Sequence, residues 1–191
     1  MRLPKLSYEE LTQRQREVHQ RITSKRGKLS GPYLVWLHSP ELCDRVHALS
    51  SYLRWECSLP EKLREFGILI TARFWDAQYS WNAHVDKAIA AGIASEITTA
   101  IAEKRTPSFQ ADDERVFYEF SMELLANHFV SDKTFSQAQA LFGNAGVADV
   151  IACVGYFSML AMCLNSAQVD LQADRKPPYP DVRGYARNAP R

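Results

Sequence analysis

The stretch AQYSWNAH, residues 77–84, combines one histidine with two aromatic side chains. On a helix Ala77, Ser80 and His84 share one face, because these positions are three and four residues apart. Imidazole is the side chain best suited to move protons near neutral pH. A nucleophilic thiol would suit the first or fourth position, but alanine and serine stand there. The stretch could therefore be an active site that has lost its reactive sulfur, an active site that never needed one, or a helix that simply carries a histidine.

The segment that carries this stretch predicts two helices joined by a sharp turn. No proline interrupts the chain from Glu61 to Ala91, and one helix of that length would be long for a globular protein. Asp76 is a preferred helix-capping residue and marks a natural break. We therefore expect one helix from Glu61 to about Phe74 and a second from Ala77 to about Ala91.

This break brings Glu65 within reach of His84. Both residues lie roughly 10–14 Å along their helices from the turn, at about 1.5 Å per residue. In an antiparallel hairpin they would therefore sit at the same level, where a carboxylate and an imidazole can share a proton. A single continuous helix would hold them nearly 30 Å apart (~1.5 Å per residue). The pair Glu65 and His84 is our candidate catalytic pair.

The rest of the chain also has helical patterns. Possible capping boxes start at Ser7 and Ser58. The first predicts a helix ending near Ser24. Further helices are expected from Pro40, over residues 112–127, from Ser131 to Gly143, and from Gly146 to Leu164. No segment alternates as a strand would, so the fold class we predict is all-α.

Two segments are expected to lie outside the helices. Residues 24–32 carry three cations and read as a solvated basic loop by composition, although such a loop can also bind an anion. The helical domain should cover residues 1–171. Residues 172–191 are basic and Pro-rich, so we expect either a disordered tail or an arm laid on a neighbouring subunit.

Composition narrows the class of protein. The 191 residues are 46% hydrophobic, enough for a sizeable core, and Lys plus Arg (23) nearly equals Asp plus Glu (22). This balance gives no reason to expect nucleic acid or a membrane as partner. The apolar run from Val147 to Leu164 contains Asp149, which favours a buried core helix over a membrane span.

The N-terminus indicates a cytoplasmic location, and in such a reducing compartment the cysteines should be free. The N-terminal residues lack the apolar core of a signal peptide. The four cysteines form no C-x-x-C pair and are expected to be free, mostly buried thiols: Cys43, Cys57, Cys153 and Cys163.

The central motifs resemble those of one family. They comprise LPEKLREFGIL (residues 59–69), Ala72-Arg73, Tyr79-x-Trp81-x-x-His84 and Ala91-Gly92-Ile. Together they closely resemble the carboxymuconolactone decarboxylase superfamily, which includes the γ-carboxymuconolactone decarboxylases and the alkylhydroperoxidase D proteins. The resemblance implies an alkylhydroperoxidase D-like helical bundle with a central helical hairpin, assembled into trimers or hexamers.

The resemblance also separates two branches of this family. In the peroxidase branch a C-x-x-C pair precedes the histidine, and those positions fall here on Ala77 and Ser80. Peroxide reduction of that kind needs a thiolate and a second, resolving thiol, which alanine and serine cannot supply. The decarboxylase branch needs no thiol, and this sequence departs less from it.

The leading functional hypothesis is therefore a thiol-independent acid–base enzyme. It would be a decarboxylase-like lyase of aromatic-compound catabolism, acting on a small lactone or carboxylated enol-type substrate. His84 would donate the proton and Glu65 would hold its tautomer. Arg73 or Arg54 would anchor a carboxylate. The other substrate-binding candidates are Tyr33, Trp36, His38, Tyr79, Ser80 and Trp81. We expect no cofactor and no metal.

Two alternatives stay open. The protein could keep a peroxidase-like or antioxidant role that uses a cysteine outside the motif, such as Cys57 just before the hairpin. It could also be a non-enzymatic, oligomeric binding or scaffold protein. A thiol-blocking reagent separates the redox role from the acid–base role, and His84→Ala separates an enzyme from a binding protein.

Overall fold

The computed structural model describes residues 1–180, and every regular element in that range is helical. The all-α prediction is confirmed. The helices are α1 (Gln13–Arg26), α2 (Tyr33–Trp36), α3 (Pro40–Trp55), α4 (Glu61–Phe74), α5 (Gln78–Ala90), α6 (Ser95–Ala102), α7 (Asp112–Asn127) and α8 (Asp132–Ala167).

The helices α4 and α5 form the predicted central hairpin. Between them Asp76 adopts a left-handed backbone conformation (φ 52°), which Asp tolerates better than most residues. This single turn reverses the chain, so that α5 packs antiparallel along α4. On its other sides α4 packs against α7 and α8, and most of its residues are buried. The hairpin is thus the centre of the bundle.

The last helix, α8, merges two predicted helices across a kink. Ser131 caps its start by accepting a hydrogen bond from the Thr134 amide, as the sequence predicted. Gly143 sits inside the helix with a non-helical backbone (φ 66°, ψ 178°), a conformation that glycine allows. The second arm continues to Ala167. By length and composition α8 could cross a membrane, but 56% of its most apolar window is buried in the bundle. More than half of this window is therefore in contact with the other helices of the bundle.

Gly67 allows three helices of the core to approach closely. A Cβ atom at this position of α4 would lie 2.9 Å from Cys153 Sγ on α8 and 3.0 Å from Phe117 Cζ on α7. Both of those side chains are fully buried. Such contacts are shorter than carbon packing permits. The absence of a side chain at Gly67 thus sets the spacing of α4, α7 and α8.

Both predicted capping boxes differ from the structure. Ser7 does bond to Glu10, but the helix starts only at Gln13, where Thr12 and Gln15 form the capping box. Ser58 does not cap α4. Its amide and hydroxyl donate to Asp149 on α8 instead, at 2.8 and 2.7 Å. The sequence pattern predicted that Ser58 would cap α4, but its hydrogen bonds go to the buried carboxylate of Asp149 on α8.

The described part of the C-terminal segment lies on its own chain. Asn82 of α5 donates to the Lys176 carbonyl, and Gln78 donates to the Tyr179 carbonyl. Tyr179 is buried against Trp81. Residues 175–179 therefore contact α5 of the same chain, and the expectation of an arm on a neighbouring subunit stays a prediction. Residues 181–191 lie outside the described residues, and the domain boundary at residue 172 stays a prediction.

Candidate functional site

The centre of the candidate site is the contact between Glu65 and His84. His84 Nδ1 lies 2.6 Å from Glu65 Oε2, and both residues are buried, with 8% and 6% of their surfaces exposed. The hairpin turn at Asp76 places the two side chains at the same level of α4 and α5, as the spacing predicted. Because Nδ1 is engaged by the carboxylate, Nε2 is the ring nitrogen left for a ligand.

Burial and neighbouring charges set the protonation of this pair. Burial opposes the charge on Glu65, but the His84 hydrogen bond and the nearby Arg54 outweigh it and lower the pKa of Glu65. Burial also lowers the pKa of His84, helped by Arg54 and Lys87 and opposed by Glu65. The resting pair is therefore a carboxylate and a neutral imidazole, with the ring proton on Nδ1.

His84 lines a cavity of about 300 Å³ whose polar wall is basic. Helices α1, α3, α5 and α8 and the loop before α2 form the walls. Five cationic side chains line it: Lys25, Arg26, Lys28, Arg54 and Lys87. No Asp or Glu of the described chain is among the lining residues. A low-dielectric cleft with charges of one sign attracts a ligand of the opposite sign. The cavity is therefore suited to a small anion.

The cations nearest His84 crowd one another. Arg54 Nη2 lies 4.0 Å from Glu65 Oε1, the carboxylate paired with it among residues 1–180. Partial desolvation and then the Arg54 charge lower the pKa of Lys87. Burial lowers the pKa of Arg26, with Arg54 adding to the effect. A bound anion would relieve this repulsion and favour the charged forms of Lys87 and Arg26.

Four of the predicted substrate-binding residues line this cavity. They are Tyr33, Arg54, Tyr79 and Ser80. Tyr79 lies under the loop that precedes α2. A Cβ atom at Gly31 (φ 60°) would be 2.8 Å from Tyr79 Cε1. The loop can therefore close over the ring only with glycine at that position.

Arg73 and Trp81 lie outside the cavity that His84 lines, and their assignment as ligand contacts gains no support there. Arg73 forms an ion pair with Asp76, donates from Nε to the Ala102 carbonyl at 2.7 Å, and lies over the Tyr179 ring. Trp81 packs its buried ring against the same tyrosine. Both side chains hold the hairpin turn and the C-terminal segment. Arg54 remains as the carboxylate anchor.

Trp36 and His38 are also outside the cavity. Trp36 is a buried residue behind the cavity wall and contacts Tyr33 and Tyr156 edge-on or tilted. His38 Nε2 contacts the Pro4 carbonyl oxygen at 3.0 Å. Trp36 thus packs behind the lining residue Tyr33, and His38 holds the irregular segment before α1 in place.

Several lining residues were missed from the sequence. The basic loop was assigned to solvent, yet Lys25, Arg26 and Lys28 reach the cavity. The signal was present, because a run of cations next to a glycine and a proline is a common anion-binding composition. Tyr156 was hidden in the apolar run of α8, where a phenol among aliphatic residues was the available clue. Lys87 follows His84 by three residues and shares its helix face.

The thiols are poorly placed for redox chemistry at this site. None of the four free cysteines lines the cavity. Burial raises the pKa of Cys43 and of Cys163 to about 12, and it also raises the pKa of the fully buried Cys153. Cys57 Sγ donates to the Leu53 carbonyl. Within residues 1–180, no group of three His, Cys, Asp or Glu side chains is arranged to hold a metal ion.

Comparison with known proteins gives matches in structure only. No protein-family model and no curated protein matches the sequence. An uncharacterized peroxidase-related protein from Silicibacter sp. TM1040 superposes with a TM-score of 0.73 at 15% identity, over 91% of this chain and 92% of that one. A protein described as an alkylhydroperoxidase AhpD core, from Ralstonia eutropha JMP134, gives 0.74 at 17% identity, over 91% and 93%.

A third similar structure contains a ligand. It is the debrominase Bmp8, in a Cys-to-Ala variant bound to 2,3,4-tribromopyrrole, with a TM-score of 0.69 at 15% identity over 88% of this chain and 90% of that one. Identities this low establish the fold and leave the activity open. The predicted alkylhydroperoxidase D-like helical fold is confirmed.

Proposed function

Since the chain has an alkylhydroperoxidase D-like fold but no cysteine at the motif positions, we propose that it is a thiol-independent acid–base enzyme of the carboxymuconolactone decarboxylase superfamily. Its substrate would be a small carboxylated lactone or enol-type acid, and its reaction a decarboxylation or a related proton shift. The observation that carries the proposal is the buried Glu65–His84 contact of 2.6 Å at the wall of a basic cavity.

Arg54 and Lys87 are proposed to bind a carboxylate of the substrate. Both line the cavity beside His84, and a guanidinium can hold a carboxylate with two parallel hydrogen bonds. Their charges lower the pKa of His84 in the free protein. A bound carboxylate neutralises them, so the pKa of His84 rises when the substrate enters. The imidazole then takes a proton from solvent and becomes an acid only in the complex.

The chemical step uses this proton. The bond between carbon and the leaving carboxylate breaks, and its electron pair passes into the conjugated system of the substrate as carbon dioxide departs. The His84 imidazolium then gives its Nε2 proton to carbon and returns to the neutral form. Glu65 accepts a hydrogen bond from Nδ1 throughout and stabilises the positive charge. Overall, one carboxylate and one proton become carbon dioxide and a C–H bond.

Tyr79 and Ser80 line the cavity next to His84 and are proposed to shape the substrate site. The apolar wall from α8, which includes Phe157, Leu160 and Leu164, would keep water from the carbanion-like intermediate. The cavity is large enough for a single-ring acid by volume.

The test is a screen of small carboxylated lactones from aromatic breakdown, with carbon dioxide release as the signal. His84→Ala should lower kcat/KM by about 100- to 10,000-fold, the usual contribution of a general acid or base. His38→Ala is the matched control, because that histidine lies outside the cavity, and it should keep full turnover. Equal rates for wild type and His84→Ala on an accepted substrate would refute the proposal.

The two alternatives are separated by peroxide turnover after thiol alkylation and by ligand binding to the His84→Ala variant. A peroxidase that uses a non-motif cysteine would lose turnover after thiol alkylation, whereas the acid–base enzyme would keep it, because its cavity has no cysteine. A non-enzymatic binding protein would bind the acids with unchanged affinity after His84→Ala and release no carbon dioxide. None of the four cysteines lines the cavity, which disfavours the first alternative at this site.

We also propose a homo-oligomeric assembly, a trimer or hexamer, of a cytoplasmic protein. Large apolar side chains are exposed on α3 and α8: Leu42, Leu49, Trp55, Ile151 and Met162. Exposed apolar side chains of this kind are typical of interaction surfaces. Light scattering coupled to size exclusion measures the subunit number, and a monomer at micromolar concentration would contradict the assembly.

A further inference from the structure

Three hydrogen-bond donors meet at one part of the cavity wall without a partner. The hydroxyls of Tyr33 and Tyr156 and the Nε of Arg26 are buried, and none of them makes a hydrogen bond within the described residues. Tyr33 is 5% exposed and Tyr156 is 3% exposed, so water has little access to either ring. All three residues line the cavity that His84 also lines.

The three donors are held together by their neighbours. Arg26 Cζ lies 5.0 Å from the centroid of the Tyr33 ring, and Arg26 Nη2 donates to Ser50 Oγ at 2.8 Å. The Tyr156 hydroxyl lies near both Ser50 and Tyr33, but without hydrogen-bond geometry. Trp36 packs against both tyrosine rings and keeps them in place. The cluster is therefore a fixed arrangement contributed by α1, α2, α3 and α8.

Buried donors without partners are rare in folded proteins because they are costly. A cluster of three is explained if an acceptor on a ligand completes it. The three donors exceed the two lone pairs of a neutral carbonyl oxygen, and one of the donors, Arg26, is positively charged. An oxygen that carries negative charge is therefore the fitting acceptor. Burial raises the pKa of Tyr156, so its hydroxyl stays protonated and remains a donor.

We propose that Arg26, Tyr33 and Tyr156 form an oxyanion pocket, which holds the enolate-type oxygen of the ligand while His84 handles the proton. The claim that this oxygen receives the electron pair of the broken bond rests on the proposed function, whereas the claim that the pocket binds an oxyanion is independent of it. Preorganised donors in a dry site stabilise developing negative charge far better than water does. The substrate class is accordingly an acid with a second, conjugated oxygen, and Ser50 is a positioning residue that fixes the Arg26 guanidinium.

The probe for this pocket is 4-nitrophenol, a single-ring phenol whose neutral and anionic forms differ in visible absorption. The wild-type protein should bind the anion in preference to the neutral form, so that the bound probe ionises at a lower pH than the free probe. Tyr33→Phe and Tyr156→Phe should each weaken binding of the anion by about 10- to 100-fold, as expected for loss of a hydrogen bond to a charged group. Binding of the neutral form should change little.

Tyr118→Phe is the matched control. Tyr118 is a partly buried tyrosine that lines a different cavity, beside Arg73. Removing its hydroxyl should leave the affinity for the probe unchanged. Thermal unfolding gives a second measurement. Because the Tyr33 and Tyr156 hydroxyls have no partner in the free protein, both phenylalanine variants should unfold at the same temperature as wild type or higher.

Three results would overturn the pocket. They are no binding of the 4-nitrophenol anion by wild type at millimolar concentration, equal affinity of the Tyr33→Phe/Tyr156→Phe double variant and the control, or a clear loss of thermal stability in both single variants.

The proposed function is tested separately. If His84→Ala abolishes turnover while the tyrosine variants bind the probe normally, the function stands and the pocket falls. If the tyrosine variants lose the probe but His84→Ala keeps full turnover, the pocket stands and the function falls.

Discussion

Replacing Glu65 with glutamine tests the acid–base pair most directly. The change keeps the side-chain shape but removes the charge that lies 2.6 Å from His84 Nδ1. Of the groups that act on the pKa of His84, burial, Arg54 and Lys87 lower it, and Glu65 is the one that raises it. Without the carboxylate, the imidazolium loses its one stabilising neighbour.

The magnitude follows from the geometry. A short hydrogen bond to a charged group contributes about 1.5–3 kcal/mol, and each pKa unit corresponds to about 1.4 kcal/mol. Glu65→Gln should therefore lower the pKa of His84 by a further one to two units, approximately. If the imidazolium is the proton donor, kcat/KM near neutral pH falls by about 10- to 100-fold.

The assay combines an NMR titration of the histidine ring protons with a pH profile of turnover. Glu114→Gln is the matched control, because Glu114 is equally buried and ion-paired but contacts Lys62, outside the site. In the control, the His84 titration should match wild type. A pKa of His84 that stays constant or rises in Glu65→Gln would refute the assigned roles of the pair.

Three further predictions concern stability. Burial lowers the pKa of both His84 and His47 below 6.5, so the unfolded chain binds more protons than the folded one at lower pH. The free energy of unfolding, measured with urea, should accordingly fall as the pH drops from 7 to 5, and a His47→Gln variant should flatten that slope. Gly67→Ala should destabilise by about 1–3 kcal/mol through its contacts with Cys153 and Phe117, whereas the helical Gly155→Ala, with open space around it, should be neutral or stabilising in the same urea titration. Asp149→Ala should cost about 1.5–3 kcal/mol, because it strips the acceptor from Tyr52 and Ser58. Equal urea midpoints for that variant and wild type would contradict the role of the carboxylate.

The hairpin and its buried pair could be predicted because both follow from local rules. The length of the region from Glu61 to Ala91, the break at Asp76 and the equal distances of Glu65 and His84 from it require no knowledge of the rest of the chain. The structure adds the detail that Ala77 directly precedes α5 and that Asp76 takes the left-handed turn.

The substrate side of the site could not be predicted in the same way, because it depends on contacts between distant segments. Arg73 looked available in sequence, but Asp76 pairs with it three residues later and removes it from the cavity. The predicted capping box at Ser58 does not form, because Ser58 donates its hydrogen bond to Asp149, which is 91 residues later in the chain. Conversely, nothing local shows that the C-terminal end of α1, which carries Arg26, packs beside Tyr156. Hydrophobic periodicity locates helices, but it does not say which polar residues face one another.

The contacts on the outer face of α5 have a consequence for the order in which the site is completed during synthesis. Gln78, Asn82 and Asp86 lie on the face opposite the cavity and bind residues 175–179, and Asn82 meets a partner 94 residues later in the chain. On the ribosome, α4 and α5 can pair early. However, the outer face of α5 stays exposed to solvent until α8 and the segment after it have emerged. The hairpin that carries Glu65 and His84 therefore gains these outer contacts only after residue 179 has been synthesised.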